Sequence, residues 1–223
     1  MKDQLATQDY VKTIASLLIK EESGMVKLKA ISAKMDISNA AVSDMLKKLE
    51  KDGLVINHAY KGIELTPSGW QLGRRLIRHH RLWEVFLHHT LDVPWDEIHD
   101  EAEHLEHAAS ESLMERIDAY LGHPKVDPHG NPIPSVTGEL LFNSAECPLV
   151  EAKLNVTYYV TRFEGLDSTY LTYLSSNEFA IGVRIQVLQQ FEFDQSILCH
   201  INGHQLQLSH AIANQIFVSS LIE

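Results

Sequence analysis

The chain has 223 residues, enough for one large domain or two to three small ones, and its 44% hydrophobic share supports a core. No apolar run reaches the roughly 20 residues that span a bilayer, and the opening MKDQLATQDY has acids where a signal peptide has an apolar core. Together these exclude a membrane-spanning helix and lead us to expect a soluble, cytoplasmic protein. Cys147 and Cys199 lack paired spacing, which argues against a disulfide framework or a structural zinc cluster. The net charge of −11 is unevenly spread. Residues 1–81 hold 14 Lys+Arg against 9 Asp+Glu, residues 82–143 hold 2 against 13, and residues 144–223 hold 3 against 8. Such a division suits a modestly basic head on phosphate and an acidic middle with another task.

In chain order, Tyr10, Ile14, Leu17 and Leu18 form one apolar stripe and predict a helix over 7–20. Leu28, Ile31 and Met35 predict a short helical segment. The turn Asp36-Ile37-Ser38-Asn39 ends in good N-cap residues. Val42, Met45, Leu46 and Leu49 then predict a helix over 39–51, stopped by Asp52-Gly53. Residues 54–56 and 63–65 read as two strands around a turn. Three helices and a two-stranded ribbon are the winged helix-turn-helix pattern of DNA-binding proteins; its main competitor is a winged helix used for protein contacts.

Thr66-Pro67 opens a further helix, with Thr as cap and Pro at the first position, predicted to run to about Leu91. Pro94-Trp95 interrupts, and one long helix is predicted from Asp96 to Leu121. Two such helices suit a dimerisation layer. Pro124, Pro128, Pro132 and Pro134 make 122–138 a loop. Beyond Asn155 the pattern changes to β-like runs at 156–163, 170–174, 183–188, 197–201 and 205–208, with a short helix near 210–215. Five short strands in this space predict a small barrel.

The chemistry concentrates in His99-Asp100-Glu101-Ala102-Glu103-His104-Leu105-Glu106-His107. On one continuous helix His99, Glu103, Glu106 and His107 share a face. The preceding helix offers His80 and Glu84 at i and i+4. Carboxylates at this density repel one another unless a cation, protons or solvent intervene. Imidazole and carboxylate donors suit a divalent metal; a solvated acidic face is the plainer alternative. A metallohydrolase built on the same helix requires an open coordination position and a substrate pocket, and leaves the winged helix unexplained. We therefore expect no enzyme.

These residues, with Gln8-Asp9-Tyr10, Ser38–Glu50, Leu65-Thr66-Pro67-Ser68-Gly69, His79-His80-Arg81-Leu82-Trp83-Glu84 and Pro128-His129-Gly130-Asn131-Pro132-Ile133-Pro134, make the whole chain resemble the diphtheria toxin repressor family of metal-dependent regulators, in its manganese-transport branch. The resemblance implies an α+β multidomain fold. A winged helix-turn-helix would occupy 1–73, a helical dimerisation and metal-binding domain 74–143, and an SH3-like barrel 144–223. It implies a homodimer that represses metal-uptake genes by binding palindromic double-stranded operators when loaded with Mn2+; Fe2+ and Zn2+ are the alternatives. Its primary metal site falls on Asp9, Glu103, Glu106 and His107. Iron-sensing members carry Met at the position of Asp9 and Cys at that of Glu103, so both sulfur positions here are oxygen. The secondary site falls on His80, Glu84 and His99 in one pattern of the family. In the manganese branch it falls on Glu84, Asp127, His129 and an acid of the barrel, Asp167 or alternatively Glu164. The family's usual Cys is replaced here by Asp127. For DNA, Ser38, Ala40, Ala41, Ser43 and Asp44 would face the major groove, with Lys47, Lys48 and the wing residue Lys61 on phosphates.

Overall fold

The structure, a computed structural model, describes residues 2–21, 23–165 and 168–220. The chain forms two compact units, one drawn from residues 1–80, 103–116 and 134–140, the other from 81–102, 117–133 and 141–223. Among the described residues no helix is long and apolar enough to cross a membrane.

The first unit opens with α1 (Lys2–Leu18), α2 (Leu28–Met35) and α3 (Asn39–Lys51). Helix α1 starts five residues before its apolar stripe requires, with Asp3 in the first turn, where the helix dipole favours an acid. Ser38 caps α3, its side chain accepting from the Ala41 amide at 3.2 Å. Strands β1 (Val55–His58) and β2 (Gly62–Leu65) pair antiparallel, Val55 opposite Leu65. Val26 adds a short bridge to Ile63 on the far side of β2. Val11 and Ile14 of α1, Ile31 of α2, Val42, Leu46 and Leu49 of α3, and Val55 and Leu65 of the ribbon close one core. Thr66 caps α4 (Pro67–Leu91), accepting from the Gly69 amide at 3.0 Å. Gly73 lets α4 lie close on α1, because a Cβ there would stand 2.6 Å from that of Ala15.

The long helix expected over 96–121 is two helices, α5 (Ile98–Leu105) and α6 (Glu111–Tyr120). The Ala108 amide closes a turn on the Leu105 carbonyl at 3.1 Å. Ser110 then accepts from the Leu113 amide at 3.3 Å and restarts the helix. A hydroxyl that offers the backbone a local partner competes with helix continuation, and an apolar periodicity does not register that competition. Glu106 and His107 therefore sit in the turn beyond α5, rather than on one helical face with His99 and Glu103.

In the second unit β3 (Cys147–Pro148), β4 (Thr157–Phe163), β5 (Arg184–Gln190), β6 (Ile197–Ile201), β7 (His204–Leu208) and β8 (Ile216–Ser219) form one antiparallel sheet in the order β3-β8-β4-β5-β6-β7. Helix α8 (His210–Ala213) precedes β8. The strand expected at 170–174 is instead part of helix α7 (Ser168–Ser176). Leu171 and Leu174, both fully buried, lie three apart, a helical spacing that a five-residue run cannot distinguish from a strand. Strands β3 and β8 were not foreseen, being too short to show alternation. Phe163, Phe179, Val187, Cys199 and Val218 contribute to the core of this unit, and burial pushes the Cys199 thiol up to about 11. Cys147 and Cys199 are free thiols.

Candidate metal centres

In the first unit Asp9 and Lys12, three residues apart on α1, present side chains to one place. There they meet His80 of α4, Glu103 of α5, and Glu106 and His107 of the following turn. Donor atoms of Asp9, Glu106 and His107 lie within 4.8 Å of one another. His107 Nε2 is 2.9 Å from Asp9 Oδ1 and 3.4 Å from Glu106 Oε1. Its other nitrogen, Nδ1, lies 2.7 Å from Gln8 Oε1. An amide oxygen only accepts, so Nδ1 carries a proton toward Gln8 and Nε2 is the nitrogen turned toward the carboxylates. A ring nitrogen and a carboxylate oxygen at that separation share either a proton on the ring or a cation. Glu106 is buried, and its Oε1 has no hydrogen-bond partner. Burial raises the Asp9 carboxyl above the usual range; His107 pulls it down, and Glu103 and Glu106 push it further up.

The opposite side of Glu106 is already neutralised. Its Oε2 lies 2.5 Å from the Lys12 ammonium and 2.6 Å from His80 Nδ1. The same ammonium reaches Glu103 Oε1 at 2.6 Å and lies 3.1 Å from His80 Nδ1. His79, buried beside it, places Nδ1 3.4 Å from the Glu106 carbonyl and so holds the turn to α4. Lys12 was not picked out in the sequence; its three-residue spacing from Asp9 was the available signal.

In the second unit donor atoms of Glu84, Asp127 and His129, all buried, lie within 4.8 Å of one another. Asp127 Oδ1 accepts from the amides of His129 at 2.8 Å and Asn131 at 2.9 Å, which shapes the turn. Oδ2 has no hydrogen-bond partner and faces Arg81 Nε at 3.6 Å. His129 Nε2 donates to the Trp95 carbonyl at 2.9 Å, and its Nδ1, with no hydrogen-bond partner, stands 3.6 Å from Glu84 Oε1. A ring nitrogen anchored on a carbonyl while its mate points into a carboxylate cluster is the usual arrangement of a metal-binding imidazole. Burial pushes the Asp127 carboxyl up to about 6, helped by Glu84 and opposed by Arg81 and His129. His99 Nδ1 bonds Glu84 Oε1 at 3.2 Å and so orients it. Gly130, at φ +84°, allows the turn to press on β4, where a Cβ would collide with the Thr161 carbonyl. Glu164 accepts from Arg162 Nη1 at 2.6 Å. Asp167 lies outside the described residues.

Both donor sets fit a hard divalent cation: each joins carboxylates to one imidazole, and each leaves buried donor atoms without a hydrogen bond. On α3, Ser38, Ala40, Ala41 and Asp44 are exposed and Ser43 half-buried, while Val42, Leu46 and Leu49 face the core. Asp44 is paired with Lys47 at 2.8 Å, Lys48 with Asp3 at 3.1 Å, and Lys61 is exposed on the ribbon.

A winged helix followed by two oxygen-rich donor clusters defines a class of DNA-binding proteins with built-in cation sites, and the comparisons narrow it. Residues 5–63 match the model of the iron dependent repressor N-terminal DNA binding domain. Residues 66–135 match that of the iron dependent repressor metal binding and dimerisation domain, and 147–220 the FeoA domain. The iron-dependent repressor IdeR of Mycobacterium leprae is 36% identical over 96% of this chain and 97% of its own. The diphtheria toxin repressor of Corynebacterium diphtheriae is 28% identical over 99% and 100%. The match to IdeR of Mycobacterium tuberculosis, 37% identical, spans 58% of this chain and 56% of that protein. Among solved structures, a manganese-dependent transcriptional repressor in complex with manganese is 36% identical over 96% of this chain and all of its own, with a TM-score of 0.87. ScaR with bound Cd2+ is 37% identical over 96% and 99%, with a TM-score of 0.82. The chain belongs to the diphtheria toxin repressor family of metal-dependent transcriptional regulators.

Proposed function

We propose that this chain is a manganese-responsive repressor, a homodimer that holds palindromic operator DNA when a divalent ion is bound, and that it acts as a regulator and not as an enzyme. The observation that carries the reading is the Asp9–Glu106–His107 centre, with its Nε2 aimed at two carboxylates and Glu106 Oε1 left without a hydrogen bond. A divalent ion supplies there the positive charge that the carboxylates lack. Asp9 belongs to α1, which shares one core with α3, while Glu106 and His107 belong to the turn after α5. Holding those three side chains together fixes the DNA-reading head against the 103–107 segment. A palindrome requires two recognition helices about 34 Å apart, so a head free to shift lowers affinity through its small competent fraction. Moving that fraction from minor to dominant takes about 3–5 kcal/mol of differential metal binding.

Manganese is favoured over iron because Asp9 and Glu103 place oxygen where the iron-sensing members of the family, by resemblance, place sulfur, and oxygen-rich sets suit Mn2+. Glu84, Asp127 and His129 are proposed as the second centre, with His99 orienting Glu84 and His80 serving the first. Ser38, Ala40, Ala41, Ser43 and Asp44 are proposed to face the major groove and Lys47, Lys48 and Lys61 the phosphates. Proteins of this kind work in the cytoplasm, where the operator is.

The test is a titration of Mn2+ into metal-free protein, following binding to a palindromic operator from a manganese-uptake promoter, beside an Asp9→Ala, Glu106→Ala variant. Affinity should rise steeply with Mn2+ in the parent and stay flat in the variant. Equal DNA binding by the parent in chelator would remove the metal switch. A steeper response to Fe2+ or Zn2+ under anaerobic conditions would reassign the metal.

A further inference from the structure

We infer that Lys12 is the internal counter-ion of the first metal centre, and that a divalent ion must displace its ammonium in order to bind. The inference rests on the metal reading of that centre. An ammonium is a compact cation that offers donors only. Here it lies 2.6 Å from Glu103 Oε1, 2.5 Å from Glu106 Oε2 and 3.1 Å from His80 Nδ1, two carboxylates and an imidazole. Those are metal-type donors, and Lys12 holds them from inside, its side chain only 13% exposed beside a fully buried Glu106. Without a positive charge at this point, Glu103, Glu106 and Asp9 would repel one another across a short distance. With it, the metal-free chain has a relaxed state of its own.

A second positive charge changes the balance. A doubly charged ion engaging Glu106 beside Asp9 and His107 repels an ammonium on the same carboxylate, and the repulsion of charges a few ångströms apart is strong where water is scarce. Lys12 sits on a flexible four-carbon stem that keeps part of its surface in solvent, so its ammonium can swing outward, whereas Glu106 and His80 are buried and stay. Lys12 therefore sets the affinity of the centre: it raises the metal concentration needed for occupancy and keeps the carboxylates folded inward below that concentration.

The experiment compares Mn2+ affinity by calorimetry in the full-length parent, Lys12→Gln and Lys12→Arg. Alongside it, the parent is pulse-labelled with acetic anhydride at increasing Mn2+ and acetylation of Lys12 is read by mass spectrometry. Lys12→Gln should bind at least about ten-fold more tightly than the parent, because the competing charge is gone. Lys12→Arg, which keeps the charge, should stay within about three-fold. Lys12 acetylation should climb with metal occupancy. Equal or weaker binding by Lys12→Gln, or labelling that does not change at saturation, overturns the inference, and the labelling arm holds even if a variant folds poorly. If the parent binds no Mn2+, or binds it equally after Asp9→Ala and Glu106→Ala, the metal reading of the centre fails and the inference falls with it; a parent that binds while the Lys12 arms stay flat overturns the inference alone.

Discussion

Asp127 tests the second centre most directly, because its charge destabilises the fold that holds it. The carboxyl is fully enclosed, and its pKa rises from an ordinary 3.8 to about 6, chiefly through burial. A difference of about two pH units at roughly 1.4 kcal/mol each corresponds to about 3 kcal/mol. The sign follows from proton uptake. The folded chain binds this proton more tightly than the unfolded chain, so the full stability is present below pH 4 and is lost as pH rises toward 6; above that, about 3 kcal/mol is missing. Asp127→Asn keeps the oxygen that accepts from the amides of His129 and Asn131 and removes the charge. Metal-free Asp127→Asn should therefore be more stable than the parent at pH 7.5, by up to about 3 kcal/mol, and equal to it near pH 4. Urea unfolding of both chains in chelator at several pH values measures this difference directly, and other titrating groups cancel between them. With Mn2+ present the order should reverse, because the amide has lost the charge that the cation needs. A variant less stable than the parent at pH 7.5 in chelator, or a gap that does not close on acidification, would refute the reasoning.

Three further outcomes follow from the geometry. Glu106→Ala leaves Lys12 and His80 facing a buried void, which should cost the metal-free protein about 3 kcal/mol or more, and a thermal melt should fall by roughly 5–10 °C; an unchanged midpoint would mean that the ammonium finds equal company elsewhere. Gly130→Ala forces a Cβ into the left-handed region, at about 1–2 kcal/mol, and against the Thr161 carbonyl. Denaturation should show a loss larger than that strain alone, and calorimetry a weakened second metal site. Ser38→Ala removes the cap of α3, so stability should drop by about 1 kcal/mol and amide exchange at Ala41 should quicken, whereas an exchange rate equal to the parent's would show that the cap contributes nothing.

Much of the first unit was legible from local signals. The stripe from Tyr10 to Leu18, the cap at Ser38, the stop at Asp52-Gly53 and the Thr66-Pro67 start each act within one turn of chain, and each element lies where its signal stands. The break between α5 and α6 was hidden because Glu103, Glu106 and His107 keep a helical spacing even where the backbone leaves the helix. Helix α7 was hidden because a five-residue run as short as 170–174 satisfies two periods at once. The clusters of acids and imidazoles were visible as composition, and the resemblance singled out Asp9, Glu103, Glu106 and His107; the structure brings Asp9, Glu106 and His107 within 4.8 Å, while Glu103 Oε1 meets Lys12 instead.

The roles of individual atoms were not visible. Lys12 lies 91 residues from Glu103 and 94 from Glu106, and no local pattern joins them. Nor does any pattern show that Gln8 meets Nδ1 of His107, that the Trp95 carbonyl meets Nε2 of His129, or that Arg81 stands beside Asp127. By itself the sequence determined the helices and strands of the DNA-reading head and which donors the chain owns, because those depend on neighbours within a few residues. Tertiary structure alone decided which oxygen meets an ammonium and which stays without a hydrogen bond, because charge and burial act between side chains that meet only when distant segments pack together.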